Sequence, residues 1–401
     1  MFYIQPKRVI IKPTKMILTN QSLDQSLGIL YKVVEIMKNL KNIIITILLS
    51  ILFNSSLSAD HLKGKSKQEL DRFLKGRVVG TPAEFNKILI SPAKKSLSLN
   101  KELIENKNTK NIDKILKNKS LLSVLYFDGQ NIVIDKKSDK IQDDTKLYSF
   151  SISKSFVSYV LGNAICNGDV KSLDDKISDY VPDAKGTLYE NSTFKDLINM
   201  RAGDTNFASR KAGSATFIYA GPVMQKKITV KEYLASSRNL KTTEKVFSYN
   251  NFLTDLVARA IDLKSPGGLK KAYQDLANKA GTSSEMFFPI DDNGWPLLHG
   301  WTYATREDFL KLGIQVSKDW NSNTCIGDYL KNIESMRDKS DNKNSEYAGF
   351  FWFNKKNKSR HAQMRGHGSQ HIHIDLEKNK VLTYHAITGD YDDKSIWNLL
   401  K

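Results

Sequence analysis

Strand-like runs crowd the two ends of the region after residue 120 and are scarce between them. Residues 121–127 (Leu-Leu-Ser-Val-Leu-Tyr-Phe) and 131–135 (Asn-Ile-Val-Ile-Asp) flank Asp128-Gly129, a hairpin signal. After Tyr347 come the β-prone stretch 349–353, the alternating run 370–376 and the run 380–386, with 375–379 joining the last two. Residues 393–401 close as a helix with Ile396, Trp397, Leu399 and Leu400 apolar. In between, apolar residues recur at helical spacing, most clearly over 193–200, 230–236, 251–263, 269–280 and 305–317, the last with Thr305 as cap. This distribution predicts an α/β (α+β) fold. One antiparallel sheet is built from both chain ends and flanked by helices, and a mostly helical domain of about residues 170–300 is inserted.

The chain of 401 residues is 40% hydrophobic and 26% charged, enough for a large core. Its formal net charge is +18. No basic tract is interleaved with aromatics, so nucleic acid is excluded as a partner. The charge is read as lysine-rich solvated faces, with attraction to an anionic partner such as cell wall or membrane surface as the second reading. Residues 37–59 have the form of a signal peptide: a basic start at Met37, an apolar run from Ile43 to Phe53, and small residues through Ala59. Export to the periplasm or outside the cell follows, with cleavage after Ser58 or Ala59. The apolar run is too short for a comfortable span and no cysteine follows it, so no permanent membrane anchor is expected, an uncleaved N-terminal anchor or membrane-proximal helix being the other option. Residues 1–36 are then an upstream extension absent from the mature protein, 60–119 a lead-in of helices and loops, and 120–401 the folded domain. The two cysteines, Cys166 and Cys325, have no metal spacing and form no disulfide framework. Cys166 is expected to be a small buried hydrophobe, a bridge to Cys325 being the other option.

The chemistry concentrates at Ser151-Ile152-Ser153-Lys154, where a strand-like segment turns into an apolar helix that continues through Phe156, Val157, Val160, Leu161, Ala164 and Ile165 to a stop at Gly168. Residues three apart share a helix face. A lysine amine in a dry pocket can take the proton of a serine hydroxyl that is otherwise a poor nucleophile. Burial and the absence of a carboxylate partner should lower the pKa of Lys154. Downstream, Tyr249-Asn250-Asn251 places a phenol and an amide at the entry of a helix, where one can shuttle a proton and the other can hold both the lysine and a substrate carbonyl. Gly366-His367-Gly368-Ser369-Gln370 opens a strand whose first amide, that of Gln370, can donate to a developing oxyanion.

The ordered set Ser-x-x-Lys, Tyr-x-Asn and His-x-Gly-type strand motif resembles the signature of the penicillin-recognising serine hydrolases, which include class C β-lactamases, D-alanyl-D-alanine carboxypeptidases, related esterases and 6-aminohexanoate-dimer hydrolases. The chain is most similar to the last, β-lactamase-related branch. Leu173-Asp174-Asp175-Lys176-Ile177 and Thr305-Arg306-Glu307-Asp308-Phe309 resemble further segments of it. The resemblance covers roughly residues 115–400. It implies a β-lactamase/transpeptidase-like fold, Ser151 as acylated nucleophile, Lys154 as its base or as the group that lowers its pKa, Tyr249 as proton carrier and Asn251 as positioning amide. It also implies His367 where other branches have lysine, and an oxyanion hole from the N–H groups of Ser151 and Gln370. The chain departs from the pattern at Ser369, where glycine is usual, and at Met200-Arg201-Ala202-Gly203. Histidine in place of the lysine that binds a β-lactam carboxylate argues against β-lactamase as the main activity.

The function expected is therefore a serine hydrolase acting on an amide or ester of a small molecule or short peptide, needing no metal or organic cofactor. Two alternatives remain. One is a non-catalytic cell-wall-binding or penicillin-sensing protein of the same fold. The other is a metallo-hydrolase using the histidines near the C-terminus, of which His371 and His373 share one face of a half-exposed strand. Tyr219, Trp295 and Trp301 are candidates either for pocket walls or for core.

Overall fold

This computed structural model describes residues 85–208, 219–340, 344–355, 360–387 and 394–400. The expected signal peptide, the extension before it, lead-in residues 60–84 and the ends of the closing helix, Asp393 and Lys401, lie outside the described residues. The strands used below are β1 (Asn86–Ile90), β2 (Leu121–Phe127), β3 (Ile132–Lys137), β4 (Leu147–Tyr148), β5 (Met286–Ile290), β6 (Tyr303–Ala304), β7 (Asp338–Lys339), β8 (Ser345–Ala348), β9 (Phe351–Asn354), β10 (His361–Gly366), β11 (Gln370–Asp375) and β12 (Lys380–Ala386). The main helices are α1 (Lys107–Asn118), α2 (Ile152–Cys166), α3 (Phe252–Lys264), α4 (Gly268–Ala280), α5 (Arg306–Trp320), α6 (Cys325–Ser335) and α7 (Lys394–Trp397).

The fold is mixed α/β with antiparallel sheets. Eight strands run in the order β3-β2-β12-β11-β10-β9-β8-β7. The two ends of the domain meet at the β2–β12 pair, where Tyr384 lies opposite Val124 and Leu382 opposite Tyr126. The Asp128-Gly129 turn forms as its composition requires, since Asp128 Oδ1 accepts the N–H groups of Gln130 and Asn131, both at 2.9 Å.

Alternation along β11 divides the protein into two cores. Ile372 and Ile374 point inward to the large core shared with α2, α3 and α5. Gly313 lets α5 lie close on the sheet, because a Cβ there would sit 2.7 Å from Ile372 Cγ2. The helix entry is set by Thr305, whose Oγ1 accepts the Asp308 N–H at 3.2 Å, and the buried Arg306 fastens it to β2 through Ser123 Oγ at 2.8 Å. The other face carries a smaller core with α1 and α7, including Ile112, Leu116, Val124, Tyr384 and Ile396. His371 and His373 lie on this side, His373 buried and His371 half-buried. Their rings stack at 5.1 Å, with Trp397 of α7 at 4.2 Å from His373, and burial holds both imidazoles well below their ordinary pKa.

A second sheet, in the order β1-β5-β6-β4, corrects the expectation of a single one. Its strands have weak local signals: β4 and β6 have two residues each, β5 contains Pro289, and β1 has only three apolar residues. Pairing over long distances, such as Ile90 with Met286, gives them their geometry. The cysteine expectation is also corrected. Cys166, at the end of α2, is bonded to Cys325, the first residue of α6, with Cα atoms 5.8 Å apart. A second tie between these helices joins Ser158 Oγ and Tyr329 Oη at 3.0 Å.

Cross-linking residues that are 159 apart in sequence restricts the unfolded chain strongly. Replacing both cysteines by alanine should lower stability by about 2–4 kcal/mol, read as a drop in the urea midpoint. The wild-type protein under reducing conditions should lose a similar amount.

Candidate active site

Ser151 stands at a sharp change of direction. The chain leaves β4, passes Phe150 in the left-handed region (φ +45°), and enters α2 with Ser151 as its first flanking residue. A non-glycine residue at that φ is uncommon and is held here by its neighbours. The Ser149 N–H donates to the Thr302 carbonyl at 3.0 Å, and the Thr302 N–H donates back to Ser149 Oγ at 3.0 Å. Ser153 Oγ lies 2.8 Å from Thr302 Oγ1, so the first turn of the helix is pinned to the segment before β6. Ser151 Oγ makes no bond to its own helix end. It receives Lys154 Nζ at 3.1 Å instead.

Lys154 is 1% exposed, on a helix whose N-terminal dipole already disfavours a cation. Its amine bonds Ser151 Oγ and the carbonyl of His299, and lies 5.3 Å from the centre of the Tyr249 ring. Burial pulls its pKa down from 10.5 to about 7. Among the described residues it has no ion pair to a carboxylate, but the charge of Asp255 acts on it from a distance and pulls the pKa back up, and burial outweighs it.

Tyr249 is half-buried, its ring 6.0 Å from that of Trp352 and 6.1 Å from that of Tyr347. Asn250, not Asn251, caps α3: its Oδ1 accepts the Phe252 N–H at 3.0 Å, and its amide is buried against Asp204 at 2.7 Å. Asn251 is half-buried with its side chain outside the cap, and Lys154 Nζ bonds the His299 carbonyl where the sequence suggested Asn251. Met200 supports the tyrosine segment from below, its carbonyl accepting the Ser248 N–H at 2.7 Å.

The β10–β11 turn comes against the serine from the sheet side. Gly366 pairs with Gln370 across the hairpin. A Cβ on Gly366 would lie 2.5 Å from the Ser149 carbonyl oxygen and 2.9 Å from Phe150 Cβ, so only glycine admits this approach. The Gln370 side chain is buried and braces the turn by donating to the Gly368 carbonyl at 2.9 Å. His367 is exposed at the tip, its ring edge-on to Phe150 at 5.7 Å. Ser369 adopts a positive φ of 65°, which a glycine at this place would accept without strain.

Thus Ser151, Lys154 and Tyr249 converge directly, and the turn holding His367 and Gln370 packs beside them. Among the described residues, no group of three or more His, Cys, Asp or Glu side chains is placed to hold a metal ion. Tyr219, Trp295 and Trp301 are all buried in the core. Asp255 and His299 were not among the candidate residues read from the sequence. Asp255 had a visible signal, a carboxylate within the apolar stripe of α3 between Phe252 and Leu256.

The family model for beta-lactamase matches residues 114–393, which contain all of these groups. The chain belongs to the beta-lactamase family. No curated protein matches this family member significantly. Solved structures similar to it share its fold at low identity. A provisionally assigned 6-aminohexanoate-dimer hydrolase from Bacillus anthracis has a TM-score of 0.63 and 13% identity, over 86% of this chain and 95% of its own. A penicillin binding protein from Bacillus halodurans has a TM-score of 0.56 and 15% identity, over 74% and 99%. A D-stereospecific amidohydrolase from a Streptomyces species has a TM-score of 0.54 and 14% identity, over 73% and 96%.

The buried lysine of this beta-lactamase-family chain gives a test independent of any activity. In the unfolded chain Lys154 holds its proton up to its ordinary pKa of 10.5, and in the folded protein only up to about 7. Between those values the unfolded state binds more protons, so wild-type stability rises with pH across the window. Lys154→Met, which removes the titration, should be more stable than wild type at pH 7, by a margin that shrinks towards pH 10. Urea denaturation at both pH values checks this.

Proposed function

We propose that the protein is a serine hydrolase that cleaves an amide or ester bond of a small molecule or short peptide through an acyl-enzyme on Ser151. The observation that carries this is the 3.1 Å contact between Ser151 Oγ and a lysine amine buried deeply enough to be neutral near pH 7. As Ser151 Oγ attacks the substrate carbonyl carbon, Lys154 Nζ takes the hydroxyl proton. The carbonyl oxygen, now negative, receives the backbone N–H groups of Ser151 and Gln370, which cost no reorganisation because α2 and the β10–β11 turn already hold them. Tyr249 delivers a proton to the departing nitrogen or oxygen, and the carbon–heteroatom bond breaks. The proton held by Lys154 passes to Tyr249, and water then attacks the acyl carbon, its proton passing through the Lys154 amine to Ser151 Oγ as the acyl–oxygen bond breaks, which releases the acid and restores all three groups. Asn251 and His367 lie at the rim as substrate-contacting groups. No metal or organic cofactor enters these steps.

Amidohydrolase and penicillin-binding relatives of the fold support amide-type substrates. His367 stands where a β-lactam carboxylate would need a lysine, which argues for another acyl substrate. The Cys166–Cys325 bond supports export through the segment 37–59, since such bonds persist in oxidising compartments.

A fluorophosphonate probe should leave a single adduct, on Ser151, and none on Ser151→Ala, by intact mass and peptide mapping. The labelling rate should rise with pH through about 7, as Lys154 loses its proton. Lys154→Arg should label at least about 10²-fold more slowly, because a guanidinium keeps its proton. An adduct elsewhere would overturn Ser151 as the nucleophile, and no adduct would leave a non-catalytic member of the family.

Tyr249→Phe keeps the ring and deletes the hydroxyl. The loss in kcat/KM should be about 10²-fold or more for an amide, whose nitrogen leaves only when protonated, and clearly smaller for a nitrophenyl ester. Equal losses on both substrates would place Tyr249 in serine activation instead.

A further inference from the structure

Behind Lys154 lies a carboxylate that the acyl-transfer steps do not use. Asp255 is 0% exposed on the buried side of α3. Its Oδ1 accepts the backbone N–H of His299 at 2.7 Å, and its Oδ2 accepts His299 Nδ1–H at 2.6 Å together with the Tyr219 hydroxyl. His299 is therefore gripped by one carboxylate through both main chain and ring. The carbonyl of this same residue accepts Lys154 Nζ. The rings of Trp301 at 5.2 Å and Tyr219 at 5.4 Å pack around the imidazole and keep the cluster dry. Charge-assisted hydrogen bonds in such surroundings are short and directional.

We propose that Asp255 is the positioning residue for the lysine: through His299 it fixes where Lys154 Nζ stands beside Ser151, and it sets a negative charge behind the amine without touching it. The separation matters. A carboxylate in direct contact would pair with an ammonium and keep it protonated. Asp255 is instead occupied by three donors from His299 and Tyr219, so only its field reaches the amine, where it moderates the effect of burial. The amine meets a neutral carbonyl on one side and the serine hydroxyl on the other.

This inference rests on the serine hydrolase reading of Ser151 and Lys154. The test measures the rate of fluorophosphonate labelling of the full chain between pH 5 and 9. Asp255→Asn keeps the shape and removes the charge. Its acidic limb should move down by about one pH unit, and its plateau should fall about tenfold as the amine loses its fixed stand. Tyr219→Phe removes one donor and leaves the carboxylate charge less shared, so its limb should move up by a smaller amount. Asp319→Asn alters another buried carboxylate, one bonded to Tyr159 of the same serine helix, and should leave the limb unmoved. A wild-type limb and plateau in Asp255→Asn would overturn the proposal. Should that variant not fold, a wild-type profile in Tyr219→Phe would overturn it equally. Absence of wild-type labelling would overturn the hydrolase reading itself, whereas normal wild-type labelling with unmoved variants would overturn only the role of Asp255.

Discussion

Keeping a lysine amine out of water is the condition around which this site is built. Desolvating an ammonium costs several kcal/mol, and the folded protein meets that cost by letting Lys154 go neutral near pH 7. A neutral amine still needs partners. Ser151 Oγ and the His299 carbonyl supply them, one from its own helix and one from a segment 145 residues away. The Tyr249 ring closes a further side at 5.3 Å. Each partner arrives on a different element, so the lysine can be buried only when α2, α3 and the segment before β6 are all in place.

The eight-stranded sheet supplies the opposite wall. Because β2 and β12 come from the two ends of the domain and pair side by side, the hairpin that follows β10 is carried to a fixed height over the start of α2. Gly366 sets the closeness of that approach to Ser149 and Phe150. The left-handed Phe150 and the missing side chain at Gly366 are complementary: one turns the chain sharply before the nucleophile, and the other makes room for the turn.

Residue patterns made the site and much of the main sheet legible. Ser151, Lys154 and Tyr249 are motif residues and sit together. The strands 121–127, 370–375 and 380–386 alternate or run apolar strongly enough to be read directly. The strand-like segment before Ser151 was legible as β4, whereas β1, β5 and β6 were not, because runs of two to five residues acquire strand geometry from distant partners. The tie from Lys154 to His299 was invisible for another reason: it uses a backbone carbonyl, which every residue has, so no side-chain pattern can mark it. Asn251 was credited with a hold on the lysine because motif spacing cannot tell which amide faces inward, and here Asn250 is the buried one. His373 was read as half-exposed because nothing local announces that Trp397 will cover it.

The bond between Cys166 and Cys325 has a consequence for how the protein is made in the laboratory. The helix that begins at the nucleophile ends at this bond. In a reducing cytosol the two thiols stay separate, so material from cytosolic expression carries a serine helix tied to α6 only by packing and the Ser158–Tyr329 hydrogen bond. Material from an oxidising compartment has that end anchored covalently. The two preparations share one sequence and differ by two hydrogen atoms, and assays that mix them would average over two chemical species.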